Sequence, residues 1–244
     1  MRNTWTMAKR EFAHYFVSPA AYVVAFVYLV ILGIIFNINL NSSIFFGGPP
    51  QVVQWVFGPF VTLMLFLSPG ITMRVLAEEQ RTGTMELLLT APLREWELVL
   101  GKWLAAFAFT AVIVFLSGLY FLITNAFTSP GLDRGAILAA YVGFLLMCAA
   151  FLAIGVFTSS LFASQIAAFF ATMGVSIVLW LVGALFQNQT GAWADVINYI
   201  DLSSHYYNNF FSGVIDLADM VYFLSATALF LFLTTRVVES RRWR

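Results

Sequence analysis

The residues with the clearest chemical purpose form a charged loop between two apolar stretches. Glu78, Glu79 and Glu86 are acidic, whereas Leu87 and Leu88 beside them are apolar. An ionised side chain costs on the order of 3 kcal/mol at the centre of a bilayer, so this loop must lie in water. Exposed leucines then need a protein surface to cover them. The pattern favours docking of a soluble partner.

This loop, residues 76–97, also carries residues that divide it into short elements. Gly83 interrupts any continuous helix, and Thr84, or Thr82 before it, can cap a short helix that contains the leucines. Pro92 suits the first turn of the helix that follows. We therefore expect a short helix that projects from the membrane between two turns.

Elsewhere the sequence has no catalytic or metal-binding pattern. Gly101-Lys102 is followed by Trp103 and lacks the upstream glycine of a phosphate-binding loop. His14 and His205 are isolated, without metal-ligand spacing or a Ser-His-Asp set. We expect a protein that is not an enzyme, binds no metal or cofactor, and leaves any ATP to another chain.

The composition indicates a membrane protein. Of the 244 residues, 61% are hydrophobic and 10% are charged, which lies far from soluble globular proteins. Twelve basic residues balance 12 acidic ones, so the charge gives no reason to expect nucleic acid as a partner. Cys148 is the only cysteine, which excludes an internal disulfide.

Apolar stretches of about 20 residues are long enough to cross a bilayer as helices. The sequence predicts six such spans in an all-α polytopic fold. They are Ala20 to Asn39, Val52 to Met73, Val99 to Ile123, Ala136 to Thr158, Gln165 to Phe186, and Ala218 to Val237.

The distribution of basic residues predicts the orientation. With the N-terminus in the cytoplasm, 11 of the 12 basic residues lie inside and Arg134 alone lies outside, as the positive-inside rule requires. We expect a multi-pass protein of the cell membrane, inner or plasma, with both termini cytoplasmic. The inside residues are Arg2, Lys9, Arg10, Arg74, Arg81, Arg94, Lys102, Arg236, Arg241, Arg242 and Arg244.

Ahead of the first span, residues 4–17 have the period of an amphipathic helix. An apolar arc contains Trp5, Phe12 and Phe16, and the opposite arc contains Arg10 and Glu11. This pattern predicts a helix that lies along the membrane surface, with a frayed tail as the alternative.

The fifth span carries small residues at every fourth position. Ser164, Ala168, Thr172 and Ser176 form this stripe, and small residues let helix backbones approach closely. The stripe is a candidate dimer face, and packing inside one subunit is the equal alternative.

A segment between the fifth and sixth spans, residues 187–217, is too polar to cross and too aromatic for a plain loop. Its periodicity predicts two short helices dipping into the outer leaflet, the second capped by Ser203-Ser204 and ended by Gly213. Asp216 and Asp219 are interpreted as solvated charges at the start of the last span.

The loop sequence Glu-Glu-x-x-x-Gly-Thr-x-Glu-Leu-Leu-Leu-Thr-x-Pro, followed by residues 96–102, resembles the permease subunit of type 2 ABC exporters. Residues 209–216 resemble the gliding-motility and copper-maturation branch in particular. The resemblance implies a homodimeric or related heterodimeric permease, with the loop docked on a separate ATPase, present in two copies, that holds ATP and Mg.

The resemblance leaves three functions open. The first is an exporter of an apolar or amphipathic substrate, because no ionisable residue lies deep in the spans to couple an ion gradient. The second is a force-transmitting or assembly complex, in which the ATPase drives a partner outside the membrane without a substrate crossing. The third, an intramembrane enzyme, lacks convergent catalytic residues.

Overall fold

The described part of the chain is a bundle of helices. The computed structural model describes residues 2–46, 51–85, 94–128, 131–186, 196–197 and 199–241, and these contain no strand. The helices are α1 (Arg2–Val17), α2 (Pro19–Phe46), α3 (Val52–Thr72), α4 (Ala77–Thr82), α5 (Glu95–Leu116), α6 (Gly118–Phe127), α7 (Arg134–Leu161), α8 (Gln165–Phe186), α9 (Leu202–Tyr207), the 3₁₀ helix η1 (Phe210–Ser212) and α10 (Leu217–Arg241).

Six segments of the described chain are long and apolar enough to cross a membrane. This confirms the prediction of an all-α, multi-pass membrane protein. α5 and α6 together form the third span and meet at a break at Ser117. α2 continues past the predicted end at Asn39, because polar side chains there bond within the helix. Asn39 donates to the carbonyl of Ile35 at 2.8 Å, and Ser42 donates to that of Ile38 at 2.9 Å.

The chain connectivity gives the bundle two distinct ends. α4 connects α3 to α5 at one end, where the last turns of α7 and α10 also lie. α9 and η1 lie at the opposite end, between α8 and α10. We refer to these as the α4 end and the α9 end.

α7 is the central helix of the bundle, packed against α3, α5, α8 and α10. Small residues allow this close packing. A side chain at Gly155 would overlap Thr72 of α3, and a side chain at Gly143 would overlap the ring of Phe210. Glycine is therefore required at both positions by the approach of a neighbouring element.

The segment at the α9 end packs onto the protein. The rings of Tyr206 and Phe210 are fully buried, and Tyr206 contributes to the main hydrophobic cluster with Phe144 of α7. The predicted cap at Ser203-Ser204 is wrong, because the carboxylate of Asp201 accepts the N–H bonds of those two serines at 3.1 and 3.2 Å. Of the two short helices predicted there, part of the first lies outside the described residues.

The second helix is split into α9 and η1, and Gly213 ends it as predicted, with a φ of 88°. That left-handed backbone conformation is one that glycine adopts without strain.

A polar cluster fastens α9 to the start of α10. Nδ1 of His205 lies 2.6 Å from Oδ1 of Asp219, and the amide of Asn209 donates to Oδ2 of the same carboxylate at 2.7 Å. The imidazole also stacks on the ring of Tyr222 at 3.8 Å. The interpretations of His205 as isolated and Asp219 as solvated are therefore wrong, since each is the other's main polar partner.

Replacing Gly143 by alanine tests this packing. The added methyl group would overlap the Phe210 ring, and overpacking of a well-packed site costs about 1–3 kcal/mol. Gly174→Ala is the control, because no atom of the described residues lies within 4 Å of its added Cβ, so alanine there should stabilise α8 by about 0.5–1 kcal/mol. Thermal unfolding in detergent should separate the two variants, and equal melting temperatures would contradict the packing.

Candidate functional site

α4 is capped by a side chain from another helix. Its first residues offer backbone N–H groups with no partner in their own turn. Those of Leu76 and Ala77 donate to the hydroxyl of Ser159 on α7, at 3.1 and 3.0 Å. Ser159 is fully buried, so α4 begins at a fixed point on the central helix.

The last turn of α7 holds two further elements in place. The carbonyl of Ser160 accepts a hydrogen bond from the amide of Gln80 and another from the guanidinium of Arg241, each at 2.9 Å. Carbonyl groups at the end of a helix lack partners in the helix and attract cations. α4 and the end of α10 therefore share one anchoring point on α7.

A buried amine joins α1, α4 and α5. Nζ of Lys102 lies 2.8 Å from Oε1 of Glu79 and 3.6 Å from Oε1 of Glu11. The Lys102 side chain is only 4% exposed. Removing one partner from a buried ion pair leaves an uncompensated charge, which is strongly destabilising. The three elements are therefore held together by one charge.

Glu11 is kept ionised by its neighbours. Burial alone raises the pKa of this carboxyl group, but Lys102 and Arg10 outweigh burial and hold the pKa below that of an exposed glutamate. A lowered pKa means that the contribution of Glu11 to stability is complete above the unfolded value, about 4.3. It is lost as the pH falls through the lowered pKa.

α1 crosses α5 in close contact. A Cβ at Gly101 would lie 2.9 Å from Cβ of Met7 and 3.1 Å from the carbonyl oxygen of Thr4, so glycine permits the crossing. At the start of α5, the carboxylate of Glu97 accepts the N–H of Arg94 at 3.2 Å and the amide of Asn3 at 3.4 Å. α1 is thus fastened to α5 at several points.

The predicted ATPase-coupling residues are described in part. Glu78 and Thr84 are exposed, whereas Glu79 is mostly buried against Lys102. The remaining residues of that set, Glu86, Leu87 and Leu88, lie outside the described residues. Just before them, Met85 is buried among Val75, Leu76, Leu98, Val99 and Val238. The loop is therefore anchored to the bundle as far as Met85, the residue directly before the segment predicted to dock on the ATPase.

The side of α1 that packs against the protein is not the apolar arc predicted from the sequence. Thr4, Met7 and Ala8 are buried against α5, and Trp5 is 70% exposed. Glu11 faces Lys102, contrary to its predicted place on the water side, because an ion pair with a buried amine outweighs the loss of water contact. Of the other residues predicted for the interfacial helix, Arg10 and Phe16 are exposed and Phe12 is half-buried. Contact of this helix with the membrane surface stays a prediction.

The small-residue stripe on α8 is filled within one chain. Ala168, Thr172 and Ser176 are fully buried, and the hydroxyl of Thr172 bonds that of Thr158 on α7. The dimer-face prediction is corrected at these three positions, because α3 and α7 already occupy the close-approach surface. The alternative, packing within one subunit, is confirmed there, and Ser164 is exposed.

Ser159 and Gln80 were not predicted as parts of this site, and neither was the inward orientation of Glu11. Ser159 lies in an apolar run that resembles any other span. Lys102 offered a signal, since a lysine several residues inside an apolar stretch needs a partner within reach. Gly101 beside it offered another, since a small residue in a membrane helix permits close packing.

The described chain is a domain of six potential membrane spans, with the connection after α3 anchored to the bundle as far as Met85. A family model described as "ABC-2 family transporter protein" matches residues 53–240. The chain therefore belongs to the ABC-2 family, and it is a permease subunit of an ABC transporter. Family membership implies partnership with an ABC ATPase subunit. Comparison with curated proteins gave no match.

The Lys102→Met variant tests the buried ion cluster. Loss of the amine leaves Glu79 and Glu11 mostly buried without their partner, at an expected cost of about 3–5 kcal/mol. Arg236→Met is the control, because its pair with Glu239 is exposed and should contribute less than about 1 kcal/mol. Thermal unfolding in detergent measures both, and a similarly small effect for the two variants would contradict a structural role for the cluster.

Proposed function

We propose that this chain is the membrane subunit of an ABC exporter, in which the α4 end receives the movement of a separate ATPase. The observation that carries the proposal is the linkage at that end, where α4 is bonded to α7 through Ser159 and to α5 and α1 through Lys102. A force applied to the loop after Met85 reaches three helices through short polar contacts. ATP and Mg are held by the ATPase.

The orientation is part of this proposal. Among the described residues, Arg74, Arg81, Arg94 and Lys102 lie at the α4 end, and Arg134 lies at the start of α7 at the α9 end. This distribution supports a cytoplasmic α4 end in the cell membrane, by the positive-inside rule.

The transport cycle follows from the rigid parts. Closure of two ATPase subunits would move the loop, and α3 and α5 would tilt with it and change a path between two permease copies. The described spans place Lys102 at the α4 end and carry apolar and aromatic side chains through most of their length. This supports an apolar or amphipathic substrate, and the similarity of residues 209–216 supports the gliding-motility and copper-maturation branch.

A force-transmitting complex uses the same linkage but needs a partner at the α9 end. The segment there turns Tyr206 and Phe210 into the bundle, and Asp219 is already paired with His205. These aromatic and acidic side chains are therefore not available to bind a partner outside the membrane, so we favour the exporter.

Cysteine labelling tests the orientation. Arg81→Cys, in a Cys148→Ser background, should resist an impermeant thiol reagent in intact cells and react once the cells are opened, because the exposed side chain at 81 lies at the α4 end. Arg134→Cys is the matched control, exposed at the opposite end, and it should react in intact cells. The reverse pattern would overturn the proposed orientation.

The double variant Leu87→Ala, Leu88→Ala tests the coupling function. Truncating a buried leucine anchor costs about 1–3 kcal/mol, so association with the ATPase should fall ten-fold or more. The control is Leu119→Ala, Leu122→Ala on α6, where both side chains are exposed. The measurements are permease abundance, ATPase co-purification and ATP turnover.

Three outcomes distinguish the explanations. A well-expressed loop variant that loses the ATPase or its coupled turnover supports the proposal. Low abundance together with an intact ATPase complex would show that the leucines pack within the permease. Wild-type abundance, association and turnover would contradict the docking of this loop.

A further inference from the structure

A cleft of about 760 Å³ opens at the α4 end, where α1, α2, α3, α4, α5 and Phe169 of α8 line it. We call it the α1–α3 cleft. Its charged lining comes from α1, from the connection after α3, and from α4 and α5, whereas most of its apolar lining comes from the spans. The apolar residues from the spans include Val24, Phe66, Ile71, Phe109 and Phe169.

The charges of the α1–α3 cleft are balanced in sign. Arg10, Arg74 and Lys102 line it together with Glu11, Glu78 and Glu79. A ligand with a net charge would leave part of this set uncompensated, so the lining matches a zwitterion. An apolar wall continuous with a polar mouth matches an amphiphile whose chain enters the bilayer.

Two groups in the cleft have unused binding capacity. Arg74 is exposed and makes no ion pair among the described residues, which leaves its guanidinium available for a phosphate. Oε2 of Glu79 is buried and has no hydrogen-bond partner in the described chain, whereas Oε1 binds Lys102. A buried carboxylate oxygen without a partner is costly and needs an N–H donor.

We propose that the α1–α3 cleft binds a membrane phospholipid with a primary ammonium and a phosphate in its headgroup, as in phosphatidylethanolamine. The phosphate contacts Arg74, the ammonium donates to Oε2 of Glu79, and one acyl chain lies along Phe66 and Ile71. A quaternary ammonium has no N–H to donate, so phosphatidylcholine leaves Glu79 unsatisfied. The inference does not depend on the proposed transport function.

Lipid retention tests the proposal on the full-length chain in detergent micelles. Native mass spectrometry would measure binding of phosphatidylethanolamine, phosphatidylcholine and phosphatidylglycerol with identical acyl chains. We expect wild-type protein to bind the ethanolamine lipid at least ten-fold more tightly than either of the others. Soluble glycerophosphoethanolamine should not displace it at the same concentration. Equal binding of the three lipids, or displacement by the soluble headgroup, would overturn the proposal.

A glycine in the wall of the cleft gives a variant that blocks it. No atom of the described chain lies within 4 Å of a Cβ added at Gly70, and Gly70 lines the cleft, so the side chain of Gly70→Leu starts in open space and extends into the cleft. This variant should lose at least ten-fold in lipid affinity and melt like wild type in lipid-free micelles. Gly58→Leu is the matched control, in the same helix and equally open but outside the cleft, and it should bind as wild type does.

Two headgroup variants assign the contacts. Arg74→Ala should weaken both ethanolamine and choline lipids, because it removes the phosphate contact. Glu79→Gln should remove the preference for ethanolamine over choline, whatever its effect on melting temperature. Wild-type lipid affinity in Gly70→Leu, or an unchanged preference in Glu79→Gln, would refute the site.

Discussion

The architecture of the α4 end depends on one buried amine. Only 4% of the Lys102 side chain is exposed, so the amine is satisfied mainly by two carboxylates from different elements. That requirement fixes the position of α1 on α5 and the position of α4 beside both. A connection that would otherwise be a mobile loop becomes a rigid extension of the bundle up to Met85. Because the interaction is ionic and buried, it tolerates little displacement before its energy is lost.

The second constraint is the central helix. α7 contributes alanine and glycine where neighbours cross it, and hydroxyl groups where their backbones need acceptors. Apolar surface alone cannot hold membrane helices together, since lipid chains are as apolar as the side chains. Close backbone approach and a small number of polar contacts therefore determine which helices are neighbours. Among the described residues, α7 provides several contacts of both kinds.

The sequence predicted the number and approximate position of the spans because a bilayer imposes a length on every crossing helix. The sequence also predicted the helix end at Gly213, where the backbone adopts a left-handed conformation. It did not predict which side chains of distant elements contact each other. The amphipathic pattern of α1 predicted that Glu11 faces water. Periodicity reflects only the polarity of neighbouring residues, so it could not show that Glu11 pairs with a lysine 91 positions later in the chain.

Two other predictions failed for related reasons. A stripe of small residues indicates that something approaches α8, and only the fold shows that α3 and α7 do so. Serine is a common helix-capping residue, yet the helix is capped by Asp201, whose carboxylate accepts the N–H groups of Ser203 and Ser204. The coupling leucines and part of the first short helix at the α9 end lie outside the described residues, so those predictions stand as predictions.

The break in the third span has a mechanical consequence. At Ser117 the hydroxyl donates to the carbonyl of Val114 at 2.6 Å and also contacts the hydroxyl of Tyr141 at 3.1 Å, so the discontinuity is pinned to α7. Ser117 itself keeps helical backbone angles, so α6 follows α5 directly. A displacement of α5 that starts at Lys102 would therefore meet resistance at this junction, because the contact with Tyr141 ties it to α7.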